Sequence, residues 1–271
     1  MKHSYHRLAI VGFVSIIATY AFARAHGREF DGSPVSTGSP VVVELFTSEG
    51  CSSCPPADAL LARLAAQTPA ANVQVIALEE HVDYWNDLGW SDPFSSSEWT
   101  ERQYAYAGAL GNGNPYTPQM VVDGSAEFVG SRTQQAVKSI AEAAAHPKTA
   151  VTLSQGTSNK PGTENFSVQV GKLAANAKGG AEVWLAITET GLHSAVTAGE
   201  NAGHDVHHAA IVRSLRKIGE AKEGGELAFS GETSIPLRAG WKRENLRAVA
   251  FVQEKKSRRI VGAAETPLRR Q

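Results

Sequence analysis

Two cysteines are all that the chain has, and they lie three positions apart as Cys51-Ser52-Ser53-Cys54, where a strand pattern gives way to a helix pattern. Before them, Val41-Val42-Val43-Glu44-Leu45-Phe46 is short, continuous and β-branched, as in a strand buried on both faces. After them, Pro55-Pro56 opens a segment with Leu60, Leu61 and Leu64 at helical spacing. Proline suits a first turn, where backbone N–H groups have no intrahelical partner to lose. The pair therefore sits at the N-terminus of a predicted helix, whose partial positive charge favours thiolate. Glu49 and Asp58 flank it and act the other way, since a carboxylate raises a nearby thiol. The arrangement points to redox chemistry but leaves its direction open.

Spacing alone also fits zinc. A structural zinc site needs four side-chain ligands, and no second cysteine pair exists. A purely structural disulfide here closes a tiny loop and stabilises far less than the roughly 3 kcal/mol expected for a loop of about 15 residues. A third consideration is Pro118, in Tyr116-Thr117-Pro118-Gln119-Met120-Val121-Val122, just before a predicted strand and hairpin.

The N-terminus supplies a compartment. Lys2, His3, His6 and Arg7 form a basic start, Leu8 to Ala23 is apolar and uncharged, and Ala23-Arg24-Ala25 is a small-residue cleavage pattern. The apolar stretch is short for a membrane span, which needs about 20 residues. We expect a signal peptide over 1–25, cleavage after Ala25, and a secreted or periplasmic protein in an oxidising environment. Losing Lys2, Arg7 and Arg24 moves the net charge from -1 to -4. That leaves no basic excess for nucleic acid or an anionic membrane surface, so neither is expected as a partner.

Residues 26–39 are rich in Gly, Ser and Pro and read as a flexible linker. From Pro40 to about Ala145, strand and helix patterns alternate: strands at Val41–Phe46, Val73–Leu78, Gln119–Val122 and Glu127–Val129, helices at Pro55–Gln67, Ser97–Leu110 and Arg132–Ala145. Asp123-Gly124 marks a hairpin turn. The predicted class is α/β, a mixed sheet with helices on both faces. Beyond His146-Pro147 the pattern becomes about seven strands with turn residues between them, which predicts a C-terminal antiparallel β-sandwich. The expected division is thus 40–146 and 147–271.

Strand, Cys51-x-x-Cys54 on a helix, and Thr117-Pro118 before a hairpin together resemble a thioredoxin fold. More narrowly, Glu44-Leu45-Phe46-Thr47-Ser48-Glu49-Gly50-Cys51, His81-Val82-Asp83-Tyr84-Trp85, Leu88-Gly89-Trp90, Gly199-Glu200-Asn201 and Val249-Ala250-Phe251-Val252-Gln253 are similar to an uncharacterised family of secreted bacterial thioredoxin-like proteins. The resemblance covers most of the mature chain, but that family brings no settled activity. It implies Cys51 as the exposed nucleophile, Cys54 as the resolving thiol, and a cis Thr117–Pro118 bond beside the pair. It also aligns Glu44 with the buried acid that assists proton transfer in thioredoxins.

Parallel strands joined by a crossover share the edge where they end. His81 and Asp83, after the second strand, should therefore line the same edge as Cys51, where a His–Asp pair would lower the thiol pKa. Trp85 and Trp90 either wall a pocket or pack within the insertion. His204, Asp205, His207 and His208, with His193 nearby, are a candidate metal cluster, but adjacent strand residues point to opposite faces. A solvated polar stretch is the plainer reading, and no metal or organic cofactor is expected. The expected function is thiol–disulfide exchange with protein thiols and disulfides and an unknown redox partner. The alternatives are a non-catalytic envelope-binding module and a copper-handling protein using Cys51 and Cys54 as soft ligands. No Gly-x-Ser-x-Gly nucleophile and no phosphate-cradling glycine loop is present.

Overall fold

The apolar run before the cysteines becomes β1 (Ser39–Thr47), which pairs in parallel with β2 (Val73–His81) from Ser39 opposite Val73 to Thr47 opposite His81. The computed structural model describes Met1 and residues 38–269, apart from 68, 112, 176 and 178. The expected signal peptide lies outside the described residues, as does nearly all of the linker. The crossover is α1 (Pro55–Ala66), capped by Cys54 with proline in its first turn.

An insertion leads to α2 (Ser97–Leu110), where the Ser96 hydroxyl accepts from the Glu98 N–H and left-handed Gly111 ends the helix. Next come β3 (Gln119–Val122) and β4 (Ala126–Val129), then α3 (Thr133–Ala145). At the β3–β4 turn Asp123 and Gly124 both have positive φ, as the Asp-Gly pair predicts. Gly124 is also held by space, because a β-carbon there would lie 2.0 Å from the Arg258 carbonyl oxygen.

The sheet is buried on both faces, which is why β1 reads as a continuous apolar run. On one face Val41, Val43, Leu45 and Val75 pack with Leu60, Leu61 and Leu64 of α1 and Ile140 of α3. On the other, Val42, Ile76 and Leu78 pack with Trp99 of α2.

The rest of the chain supplies β5 (Val151–Gly156), β6 (Thr163–Gly171), β7 (Ala181–Glu189), β8 (Leu192–Ala195), β9 (Asp205–His208), β10 (Ile211–Ala221), β11 (Leu227–Pro236), β12 (Leu246–Glu254) and β13 (Ile260–Pro267). Four of these strands extend the first sheet, giving the eight-stranded order β13-β12-β7-β10-β2-β1-β3-β4. β10 lies parallel to β2 through Ile211 opposite Glu79 and antiparallel to β7.

The helix pattern ends at His146-Pro147 as expected, yet the sheet continues with strands from beyond that point, and the described residues from 38 onward belong to one compact unit. The physical reason is visible in burial: β12 is buried almost throughout, like an interior strand, rather than alternating. The alternating strand β6 pairs with β5 on one side and β11 on the other in a separate three-stranded antiparallel sheet. Its inward residues Phe166, Val168 and Val170 cluster with Val183, Leu185, Ala248 and Ala250 of the large sheet. β8 and β9 form a small hairpin that the sequence patterns did not mark. Among the described residues, no helix is long and apolar enough to cross a membrane.

Candidate functional site

Just past the end of β1 the chain turns tightly, with the Cys51 N–H donating to the Ser48 carbonyl at 3.1 Å and the Cys54 N–H to the Cys51 carbonyl at 3.1 Å. The Ala57 and Asp58 N–H groups then donate to the Cys54 carbonyl, so helix and cysteine loop are continuous. Cys51 and Cys54 are joined in a disulfide. Both residues are fully buried, which differs from the exposed Cys51 that the resemblance implied. The cysteine loop is held by residues from far along the chain. Asn201 Nδ2 donates to the carbonyls of Glu49 (2.8 Å) and Cys51 (3.0 Å), and the Ser52 N–H donates to Glu200 Oε2 at 3.0 Å. Both residues belong to the β8–β9 connection, where the Val196 N–H reaches the His204 carbonyl. Left-handed Gly199 lets this tip lie flat: a β-carbon there would come within 3.1 Å of Trp90 Cβ.

Beside the cysteine loop lies a buried polar cluster. Thr47 Oγ1 donates to Asp58 Oδ1 at 2.7 Å. Burial, reinforced by the charge of Glu79, pushes the Asp58 carboxyl up to about 7. In β2, Glu79 and His81 project to the same face as Thr47. His81 Nδ1 is 2.7 Å from Asp92 Oδ2, and His208 of β9 lies between Glu79 Oε1 (2.8 Å to Nδ1) and Glu49 Oε1 (3.0 Å to Nε2). Burial opposes charge on Glu79, His81, Asp92 and His208, but mutual attraction overrides it in all four, His81 holding the Asp92 carboxyl below its ordinary value. Asp92 holds His81 well above its ordinary value, Glu49 and Glu79 carry His208 up to about 9, and the two imidazoles keep the Glu79 carboxyl far below the usual range.

The residues expected from sequence divide between two places. Glu44 points to the opposite face of the sheet, where it accepts from Arg102 Nε at 2.6 Å and from the Tyr106 hydroxyl. Glu80 lies 3.3 Å from Arg102 Nε on that same face, and burial together with the Glu44 charge raises its carboxyl well above the ordinary value. The buried acid on the α1 side, one turn after Cys54, is Asp58. Asp83 does not orient His81. Its carboxylate accepts from the Thr100 hydroxyl at 2.6 Å, and Asp92 takes the place beside His81 because the chain loops back through Asn86 and Ser95.

Thr117–Pro118 is cis. Thr117 Oγ1 accepts from Trp85 Nε1 at 2.8 Å, and a β-carbon on Gly50 would come within 3.2 Å of Trp85 Cβ, so this indole links the proline loop to the cysteine loop. Trp90 Nε1 donates to Glu49 Oε2 at 2.8 Å. His207 and His208 do face opposite ways: His207 is exposed with His193 and Asp205, and His208 is buried.

Asp92, Glu79, Glu200 and Asn201 escaped the sequence reading as site residues, whereas His208 was in view only as part of the candidate cluster with His204 and His207. Of those four, Glu200 and Asn201 carried a signal, within Gly199-Glu200-Asn201 as one of the motifs of the resemblance.

The pattern of a family described as "Protein of unknown function (DUF1223)" matches residues 42–253. A crystal structure of protein AGR_C_4864 from Agrobacterium tumefaciens is similar at 27% identity and a TM-score of 0.62, covering 85% of this chain and 95% of that one. HBP35 of Porphyromonas gingivalis is similar in fold, at 17% identity and a TM-score of 0.63, covering 86% of this chain and 76% of that one. No curated protein matches the sequence significantly.

Proposed function

We propose that this chain, which belongs to the DUF1223 family, is an exported thiol–disulfide oxidoreductase built on a thioredoxin-like arrangement. The observation that carries the reading is the Cys51–Cys54 disulfide at the first turn of α1, with the buried Asp58 carboxylate one turn further on. The parallel β1–α1–β2 unit and the cis Thr117–Pro118 bond before the β3–β4 hairpin support it. The leader pattern of residues 1–25 supports export to a compartment where disulfides persist.

In the reducing direction, the Cys51 thiolate attacks a substrate disulfide, forming a mixed disulfide and releasing one substrate thiol. Cys54 loses its proton to Asp58 and attacks Cys51 Sγ, which breaks the mixed bond and releases the second thiol. Two electrons pass to the substrate, and the intramolecular disulfide remains. The oxidising direction is the reverse. Both cysteines are buried, so exchange with a protein substrate needs the cysteine loop to open, and Glu200 and Asn201 hold that loop through its backbone.

Equilibration of the mature protein with glutathione buffers, followed by alkylation and mass measurement, tests this. We expect a reversible two-electron transition, and insulin-reduction or oxidative-refolding activity that Cys51→Ser abolishes. A pair that stays oxidised in the folded protein throughout the range, with no exchange in either assay, refutes it. Complete burial favours one alternative, a non-catalytic binding module in which the disulfide pins the loop under Asn201.

A further inference from the structure

We infer that Glu79, His81 and His208 form a binding site for a divalent first-row transition cation, with Zn2+ as the simplest occupant. Glu79 Oε1 lies 3.4 Å from His81 Nε2 and 2.8 Å from His208 Nδ1, and all three donor atoms fall within 4.8 Å of one another. Nitrogen and oxygen ligands on one tetrahedral zinc stand roughly 3.3 Å apart, given bonds of about 2.0–2.1 Å. The spacing is therefore near that of ligands around a shared ion.

Two further features point the same way. His81 Nε2 is wholly buried and makes no well-aligned hydrogen bond, its contact being the Glu79 Oε1 atom 3.4 Å away. Each imidazole is also held through its other nitrogen by a carboxylate, His81 Nδ1 by Asp92 (2.7 Å) and His208 Nε2 by Glu49 (3.0 Å). A divalent ion would displace the proton that His208 Nδ1 shares with Glu79 Oε1; with the hydrogens kept on His81 Nδ1 and His208 Nε2, the atoms His81 Nε2, His208 Nδ1 and Glu79 Oε1 are then left as its three ligands. This is the carboxylate–histidine support that metal-ligating imidazoles generally have.

The supporting shell is itself anchored. Asp92 accepts from the Glu49 and Phe94 N–H groups at 2.9 Å each, Glu49 from Trp90 Nε1, and Glu79 Oε2 from the Ala209 N–H at 2.7 Å. Two imidazoles and one carboxylate suit zinc, iron or manganese rather than calcium or magnesium, which prefer oxygen alone. A surface groove of about 360 Å³, lined by Ala62, Ala66, Thr190, Gly191 and His208, offers a way in.

This site does not depend on the redox reading, since the disulfide withholds both sulfurs. The test titrates tag-free mature protein, with its thiol count at zero, first with Co2+ and then with Zn2+. We expect one equivalent bound, cobalt d–d absorption without a sulfur charge-transfer band, and displacement by zinc. His81→Gln and His208→Gln should each weaken binding by about 100-fold or more, and Glu49→Gln by about 10-fold. The double variant His193→Gln/His207→Gln, at the exposed histidines, should change it less than about twofold.

X-ray absorption at the zinc edge of the wild-type protein requires no variant and should show two imidazoles and no sulfur. A folded wild-type protein that takes up neither ion, a zinc-edge spectrum with sulfur or without imidazole, or affinity unchanged in both folded ligand variants would each overturn the assignment.

Discussion

Phe166, Val168 and Val170 meet Val183, Leu185, Ala248 and Ala250 in a layer of hydrocarbon, whereas the ends of β1 and β2 bury Thr47, Glu79 and His81 together with Glu49, Asp58, Asp92 and His208. Both regions exclude water, but for opposite physical ends. The apolar layer gains roughly 25 cal/mol for each Å² it hides. The polar cluster must repay the desolvation of several charges through a few well-aimed contacts, and such exchange often does no better than break even. The polar cluster, next to the cysteine loop through Thr47, Glu49 and Asp58, is therefore the weaker contributor to stability of the two.

That contrast can be broken experimentally. Phe166→Ala, in the apolar layer, should cost about 3–5 kcal/mol by urea denaturation, with disulfide exchange per folded molecule unchanged. If exchange falls in proportion, the two regions are not separable.

Arg102→Met strands Glu44 and Glu80 on the opposite face of the sheet and should also cost about 3–5 kcal/mol, part of it recovered by adding Glu44→Gln. Glu44→Gln alone should leave the pH profile of exchange where it was. A shifted profile would return Glu44 to the proton path in place of Asp58.

Asp58 gives a signed test. Its folded carboxyl titrates at about 7 against an ordinary 3.8, so folding favours its protonated form. The contribution is whole below about 3.8 and is lost as pH rises through about 7, at no more than about 1.4 kcal/mol per pH unit. Wild-type stability measured against Asp58→Asn should therefore decline between pH 4 and 8. A flat difference refutes the elevated value.

The smallest effect is expected from Asn201→Ala. Loss of its two hydrogen bonds should cost about 1–2 kcal/mol and speed reduction of the disulfide by dithiothreitol several-fold. An unchanged rate would mean that the β8–β9 tip does not limit access.

Legibility from sequence followed the range of the interactions. α2 and β3 appear at their predicted bounds, and the Asp123-Gly124 turn joins β3 to β4, because each is specified by residues a few positions apart. The site was half legible. The cysteines, cis Thr117–Pro118 and the edge position of His81 were in view, and so were the opposite faces of His207 and His208. Asp83 was mistaken for the partner of His81 because nearness in sequence was the only guide, and the turn that carries Asp92 back has no periodicity to betray it.

By itself, then, the sequence determined the strand–cysteine–helix junction, the bounds of α2 and β3, and the Asp123-Gly124 turn. Only the tertiary structure decided that β10 would lie against β2 and carry the sheet past Pro147, and that the short β8–β9 hairpin would deliver Asn201 to the cysteine loop and His208 to Glu79. The reason is distance along the chain. These bonds join residues 129 to 159 positions apart, and hydrophobic periodicity carries no information over such a span.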